Sequence, residues 1–281
     1  MREVKAEQIA KTVRDLCLDA NYRLGDDVVR ALKDSVQKEE SPTGKEILEM
    51  IVENARIAEE EHLPICQDTG FAVVFINLGQ DVHVTGGDLE GAINEGVRQG
   101  YQEGFLRKSI VDDPVLDRKN TGDNTPAVIH TRIVPGDQIR ITFAPKGGGS
   151  ENMSEVRMMK AADGIAGIKD FVVDRIRRAG GNPCPPVVVG VGIGGTFEKC
   201  ALLAKQALLR PLGQRHPDAR FAAVELDIME RANKLGTGPM GLGGRVSVLD
   251  VHVETFPCHI ASMPVAVNMQ CHADRHKEAV I

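Results

Sequence analysis

The chain has 281 residues, 42% of them apolar and 26% charged, with a net charge of −6. That is the make-up of an ordinary globular protein with ample core, and the absence of Lys/Arg clusters excludes a protein that tracks a nucleic-acid backbone. No signal-peptide run or membrane-length apolar stretch occurs, and six cysteines are too sparse for a disulfide scaffold, so a cytoplasmic chain with thiols or metal ligands is expected.

Val4, Ile9, Val13, Leu16 and Leu18 recur at roughly helical spacing and predict a helix over residues 4–22. A second is predicted over 26–38. Ser41-Pro42 opens a third, since serine caps well and proline fits the first turn. These form a helical layer that leads into Leu63-Pro64-Ile65-Cys66-Gln67-Asp68-Thr69-Gly70. Pro64 disfavours helix before it and Gly70 allows a turn, so a thiol, an amide, a carboxylate and a hydroxyl sit on a loop between rigid elements. A cysteine there is a small buried hydrophobe, a metal ligand or a nucleophile.

Phe71–Leu78 reads as a buried strand, 81–85 as a continuation of its sheet, and 89–102 as a helix. The polar loop from Phe105 to Pro126 has a length that tends to be functional. Strands over 127–134 and 138–143 meet at Pro135-Gly136-Asp137, a hairpin-like turn. Gly147-Gly148-Gly149 can offer backbone N–H groups to an anion, a reading that Lys146 favours over a flexible turn. Helices are predicted near 154–162 and 165–178.

Cys184, between prolines, sits on a rigid turn before the strand Val187–Val191. Gly192-Ile193-Gly194-Gly195-Thr196 then turns into a helix reaching about Leu209, in whose interior Cys200 reads as core. Strand, glycine loop and helix suggest a dinucleotide site only weakly, because no clean G-x-G-x-x-G occurs. A helix over 219–235 ends in a glycine-rich loop, 236–244. The strand 246–255 sets Asp250, His252 and Glu254 on one face, Pro257-Cys258-His259 breaks it, and a strand resumes over 264–269. No repeat or linker is visible, so residues 1–281 read as one α+β domain of two lobes, mixed sheets and helices following the N-terminal helices.

Three cysteines, 66, 184 and 271, share a context: a loop or strand end near glycine turns. Zinc ligands usually come in short C-x₂-C pairs, and none exists, although Cys258-His259 with Cys271-His272 and His276 leaves a zinc site open. Pairing Cys66 with His259 or His272 as a nucleophile is also open. Single cysteines on glycine-rich turns suit an iron–sulfur cluster as well.

Cys66-Gln67-Asp68-Thr69-Gly70, Lys146-Gly147-Gly148-Gly149-Ser150-Glu151-Asn152, Val189 to Thr196, Gly238 to Gly244, and Pro257 to Ser262 with Cys271 closely resemble, in order, the motifs of class I (iron–sulfur) fumarate hydratases and the related tartrate dehydratases. The resemblance covers essentially the whole chain and points to the α subunit of the two-subunit form. It implies that Cys66, Cys184 and Cys271 ligate a [4Fe-4S] cluster, bound by loops at element ends. It also implies that Gln67, Asp68, Arg107, Gly148 and His259 line the pocket of a small dicarboxylate. Lys146 joins the substrate-binding set on charge, and Asp68 and His259 are the catalytic candidates. Fumarate/malate is expected ahead of tartrate. A separate β subunit is expected because only ten residues follow Cys271, where single-chain relatives continue into a further domain. The reading from another class is a zinc- or dinucleotide-binding module without its own chemistry.

Overall fold

The computed structural model describes residues 1–281. In chain order the elements are β1 (Arg2–Lys5), α1 (Ala6–Tyr22), α2 (Asp26–Lys38), α3 (Pro42–Glu61), β2 (Phe71–Gly79), β3 (Val82–Thr85) and α4 (Leu89–Glu103). Next come β4 (Val128–Val134), β5 (Ile139–Lys146), the single turn α5 (Gly148–Glu151), β6 (Glu155–Met159), α6 (Gly164–Ala179), β7 (Val187–Gly194) and α7 (Phe197–Ala207). The last are α8 (Ala219–Asn233), β8 (Val248–Phe256), β9 (Met263–Gln270) and β10 (Lys277–Val280). The class is α+β with mixed sheets, and no helix is long and apolar enough to cross a membrane.

The chain folds into two compact units, neither continuous in sequence. The first holds Met1–Leu24, Ala55–Gly148 and Arg275–Ile281, and the second holds Gly25–Asn54 and Gly149–Asp274. The N-terminal helices are therefore shared out: α1 belongs to the first unit, α2 to the second, and α3 runs from the second into the first.

The first unit is built on a sheet of order β10-β5-β2-β4. Ile9 and Val13 of α1, Ile93 and Val97 of α4, and Val74, Ile76, Ile141 and Phe143 of the sheet form one core. Two expectations are corrected here. β3 leaves the main sheet and pairs in parallel with β1, a strand the sequence did not announce. The 135–137 turn joins no hairpin, because β2 lies between β4 and β5, parallel to one and antiparallel to the other. The turn instead passes over the end of β2, where a Cβ on Gly79 would come within 2.5 Å of the Gly136 carbonyl oxygen.

The second unit has a sheet of order β6-β9-β7-β8, in which only β7 and β8 run parallel. Within residues 154–162, expected as helix, Glu155–Met159 form β6 instead, because the edge of β9 takes up their backbone groups in antiparallel pairing. Val187, Val189 and Val191 of β7 share a core with Phe171 of α6 and Ile228 of α8. The opposite face of β7 carries glycines, which settles their use. A Cβ on Gly190 would lie 2.0 Å from the Ala204 carbonyl oxygen, and one on Gly192 2.0 Å from that of Cys200. α7 packs straight onto the strand backbone, so the glycines that suggested a dinucleotide loop serve helix–strand contact.

Two buried carboxylates fasten the irregular parts of this unit. Glu39, at the end of α2, accepts N–H bonds from Glu40, Ser41, Arg245 and Val246 at 2.8–2.9 Å. Burial alone would raise its pKa, but these four donors hold it below the ordinary value. Asp250 on β8 accepts from the Gly213 amide at 2.7 Å, pairs with Arg215 and lies 3.3 Å from His252 Nε2. Burial would again raise its pKa, yet His252, Arg215 and the Gly213 amide bring it down to about 2. A depressed carboxylate contributes stability above its unfolded pKa, and that contribution disappears as pH falls through the folded value. Asp250→Asn is therefore expected to lower unfolding stability by about 2 kcal/mol at pH 7. In denaturant titrations the gap to the wild type should close as pH drops from about 4 to 2, and a gap that persists unchanged at pH 2 would dissociate the loss from this charge.

Candidate active site

Within the first unit, the loop after α3 is fixed from several sides. The Ile65 amide donates to the Asn21 carbonyl at 2.9 Å, and the buried Ile65 side chain anchors the turn. Cys66 and Asp68 are half-buried, Gln67 is exposed and Thr69 is buried. Gly70 has φ +74° and lies so close to β5 that a Cβ would meet the Lys146 backbone at 2.6 Å, so only glycine serves there.

Three successive carbonyls of this loop are held by buried donors. Arg275 Nη2 donates to the Asp68 carbonyl at 2.6 Å. The Tyr101 hydroxyl lies 2.7 Å from the Thr69 oxygen and 2.9 Å from that of Gly70, and Asn124 Nδ2 donates to Gly70 at 3.1 Å. Burial holds the Tyr101 hydroxyl well above its usual pKa, so it remains a donor. Tyr101, Asn124 and Arg275 were not singled out in the sequence. A tyrosine late in an amphipathic helix was the one available hint, since a buried hydroxyl needs a polar partner.

The Asp68 carboxylate is oriented by amides rather than by a cation. Its Oδ1 accepts from Gly70 N–H at 3.0 Å and its Oδ2 from Gly148 N–H at 2.8 Å. The Gly148 amide thus meets the protein's own Asp68 carboxylate, and a single helical turn begins within the glycine run. Thr69 Oγ1 donates to the Arg107 carbonyl at 2.8 Å, fixing the backbone of a residue whose side chain is exposed. Asn124 Oδ1 accepts from the Ser109 amide at 2.8 Å, so the long polar loop is tied to Gly70 through one side chain. Lys146 is buried at the end of β5, its Nζ 3.4 Å from the Gly147 carbonyl oxygen, rather than open to solvent as Arg107 is.

In the second unit, strand register brings two cysteines together. β7 and β9 are antiparallel, with Val188 opposite Gln270, so the turn that enters β7 lies beside the turn that leaves β9. Cys184 is on the first and Cys271 on the second, and both are half-buried. The Cys184 carbonyl accepts from the His272 amide at 3.3 Å and lies 3.0 Å from His272 Nδ1, which must carry its proton to donate there. Cys184 itself has φ +56°. A Cβ on Gly241 would fall 2.5 Å from the Gly181 Cα, so the glycine-rich loop 236–244 closes directly onto the 181–184 turn.

The same register separates His259 from these thiols. Gly194, at the far end of β7, pairs with Phe256, and the 257–262 loop follows. The eight residues of β7 span on the order of 20 Å. His259 is exposed, and its Nδ1 accepts from the Ala261 amide at 3.1 Å. Cys258 shares this loop, its Sγ 3.2 Å from the Ser262 oxygen. A full strand length thus lies between His259 and the turns that carry Cys184 and Cys271.

Cys17 and Cys200 are fully buried in the cores, as befits small hydrophobes. No three His, Cys, Asp or Glu side chains are placed to hold a single metal ion. The donors that remain, Cys66, Cys184 and Cys271, are soft thiols at element ends, half-buried and held on hydrogen-bonded turns. Their chemistry fits an iron–sulfur cluster, whose irons take thiolates singly.

The family model described as fumarate hydratase (Fumerase) matches residues 10–280. The chain is similar, at 43% identity over 272 residues and 95% of each chain, to the putative L(+)-tartrate dehydratase subunit alpha of Methanocaldococcus jannaschii. It is 34% identical over 276 residues to the L(+)-tartrate dehydratase subunit alpha of Escherichia coli UTI89 and to that of Shigella sonnei, spanning 98% of this chain and 91% of each relative. With the matched region running through both units and all the loops described above, the chain belongs to the fumarate hydratase (Fumerase) family of hydro-lyases.

Proposed function

We propose that this chain is the α subunit of a hydro-lyase that reversibly hydrates fumarate to malate. Cys66, Cys184 and Cys271 would hold a [4Fe-4S] cluster. The observation that carries the reading is the Asp68 carboxylate, two residues from Cys66, aimed by the Gly70 and Gly148 amides and paired with no cation. When bound, the cluster supplies an open iron able to act as a Lewis acid toward the substrate's oxygen atoms.

The chain's own residues do the rest. Asp68 exchanges a proton with the substrate through a carboxylate oxygen, a role that needs a fixed group free of a salt bridge. Arg107, with its backbone pinned by Thr69 and its guanidinium exposed, suits a bidentate grip on one substrate carboxylate. Gln67 offers an exposed amide on the loop that carries Asp68. Lys146 supports the glycine turn from a buried position, and His259, on its exposed loop, is the second catalytic candidate.

A second reading, dehydration of tartrate, is favoured by the names of the relatives, L(+)-tartrate dehydratase subunit alpha. The same words, subunit alpha, support dependence on a separate β subunit. The test is to purify the chain without oxygen, with and without a candidate β subunit, and to follow fumarate hydration and L(+)-tartrate dehydration side by side. Fumarate turnover that appears only with the second subunit is the expected result. Turnover of tartrate alone transfers the assignment to the second reading, full activity of the isolated chain removes the subunit requirement, and turnover of neither substrate by a cluster-loaded preparation with the second subunit present overturns the hydro-lyase reading.

Cys66→Ser, Cys184→Ser and Cys271→Ser are each expected to lose bound iron, while Cys17→Ser and Cys200→Ser keep it, as measured by iron and sulfide content after anaerobic reconstitution. Full iron in the Cys184 variant would strike that residue from the ligand set. Asp68→Asn is expected to retain the cluster and substrate affinity but to reduce kcat by roughly 10²–10⁴-fold. A kcat near normal would return Asp68 to a purely structural role.

A further inference from the structure

Arg275 is 2% exposed, yet no carboxylate lies within ion-pair distance of it. Nη1 donates to Asn21 Oδ1 at 3.3 Å, Nη2 to the Asp68 carbonyl at 2.6 Å, and Nε has no partner. A guanidinium taken out of water with only neutral acceptors is costly to keep. The comparison with its neighbours shows that anchoring alone does not require it. The Thr69 and Gly70 carbonyls, next in the chain, are held by a neutral phenol and a neutral amide. Of these three successive carbonyls, only that of Asp68 is met by a full positive charge. The Asp68 side chain, in turn, is an anion with amide donors and no cation. Two opposite charges thus bear on one residue without forming a salt bridge, which leaves both carboxylate oxygens available for amides and substrate.

We infer that Arg275 is a positioning residue for Asp68, fixing its peptide and setting the charge around its carboxylate from the buried side. The inference rests on the reading of Asp68 as the proton-transfer group. It accounts for what a structural role leaves unexplained: why the donor is a cation, why no acid neutralises it, and why one of its N–H groups is left unused.

The test uses the cluster-loaded enzyme with whatever partner subunit it requires, and measures kcat and KM per bound cluster, iron content and thermal midpoint for Arg275→Lys, Arg275→Gln, Asp68→Asn and the double variant Asp68→Asn/Arg275→Gln. Arg275→Gln is expected to keep its iron and its KM while kcat falls by about 100-fold. Arg275→Lys, which retains the charge, should recover a substantial part of that loss. The double variant should be no slower than Asp68→Asn, since a residue acting through Asp68 has nothing left to act on. Losses that multiply in the double variant, or a kcat per cluster that is unchanged in Arg275→Gln, overturn the proposal. Should Arg275→Gln fail to fold, a lysine variant with wild-type iron but the kcat of Asp68→Asn also overturns it, because charge would then count for nothing. A normal kcat in Asp68→Asn identifies the other failure, that of the reading on which the inference stands.

Discussion

The second unit depends on one close approach, that of α7 to the bare backbone of β7. Gly190 and Gly192 remove the side chains that would otherwise stand between helix and strand, and the carbonyls of Cys200 and Ala204 occupy the space. The valines on the other face of β7 can then be buried under α6 and α8. A strand covered on both faces must run straight through the core, so what happens chemically is confined to its two ends.

Those ends differ. One receives the prolines, Cys184 and the turn that follows β9, with backbone hydrogen bonds locking Cys184 to His272. The other receives the exposed loop with Cys258 and His259. Two cysteine–histidine neighbourhoods that look alike in the sequence are therefore unlike in the fold: one is half-buried and cross-tied, the other open to water. In the first unit the corresponding order comes from donors under the 65–70 loop, which fix the backbone carbonyls and leave the side chains of Gln67 and Asp68 on the accessible side.

Much of this was legible in the residues, and the exceptions have physical causes. α2 was read with its observed bounds because its charges and apolar residues separate cleanly, and β7 was found from its β-branched run, although the strand continues through Gly192 to Gly194 where a turn was expected. Glu155–Met159 misled because Arg, Met and Glu are good helix formers, and only the open edge of β9 makes a strand of them. β10, Lys277-Glu278-Ala279-Val280, has almost no strand character of its own and is held by pairing with β5. Pro135-Gly136-Asp137 announces a turn, but a turn cannot tell whether its strands touch or flank a third. Among site residues, Cys66 and Asp68 stood out through their local motif. The burial of Lys146 and the role of Arg275 did not, since both arise from what packs around a charge and not from the residues beside it.

The interleaving of the two units also bears on how the protein is made. Chains emerge from the ribosome N-terminus first and tend to fold by domains as they appear. Here the first unit takes its edge strand β10 and its buried Arg275 from residues 275–281, which leave the ribosome only after the whole of the second unit. Until then the outer edge of β5 is an unpaired strand edge, the kind of surface that invites wrong partners. The loop that carries Cys66 and Asp68 likewise lacks one of its buried donors until Arg275 has been made. The nascent protein thus cannot assemble the surroundings of Asp68 until Arg275 has emerged, and a ribosome that stalls just before that point would expose that edge for as long as it waits.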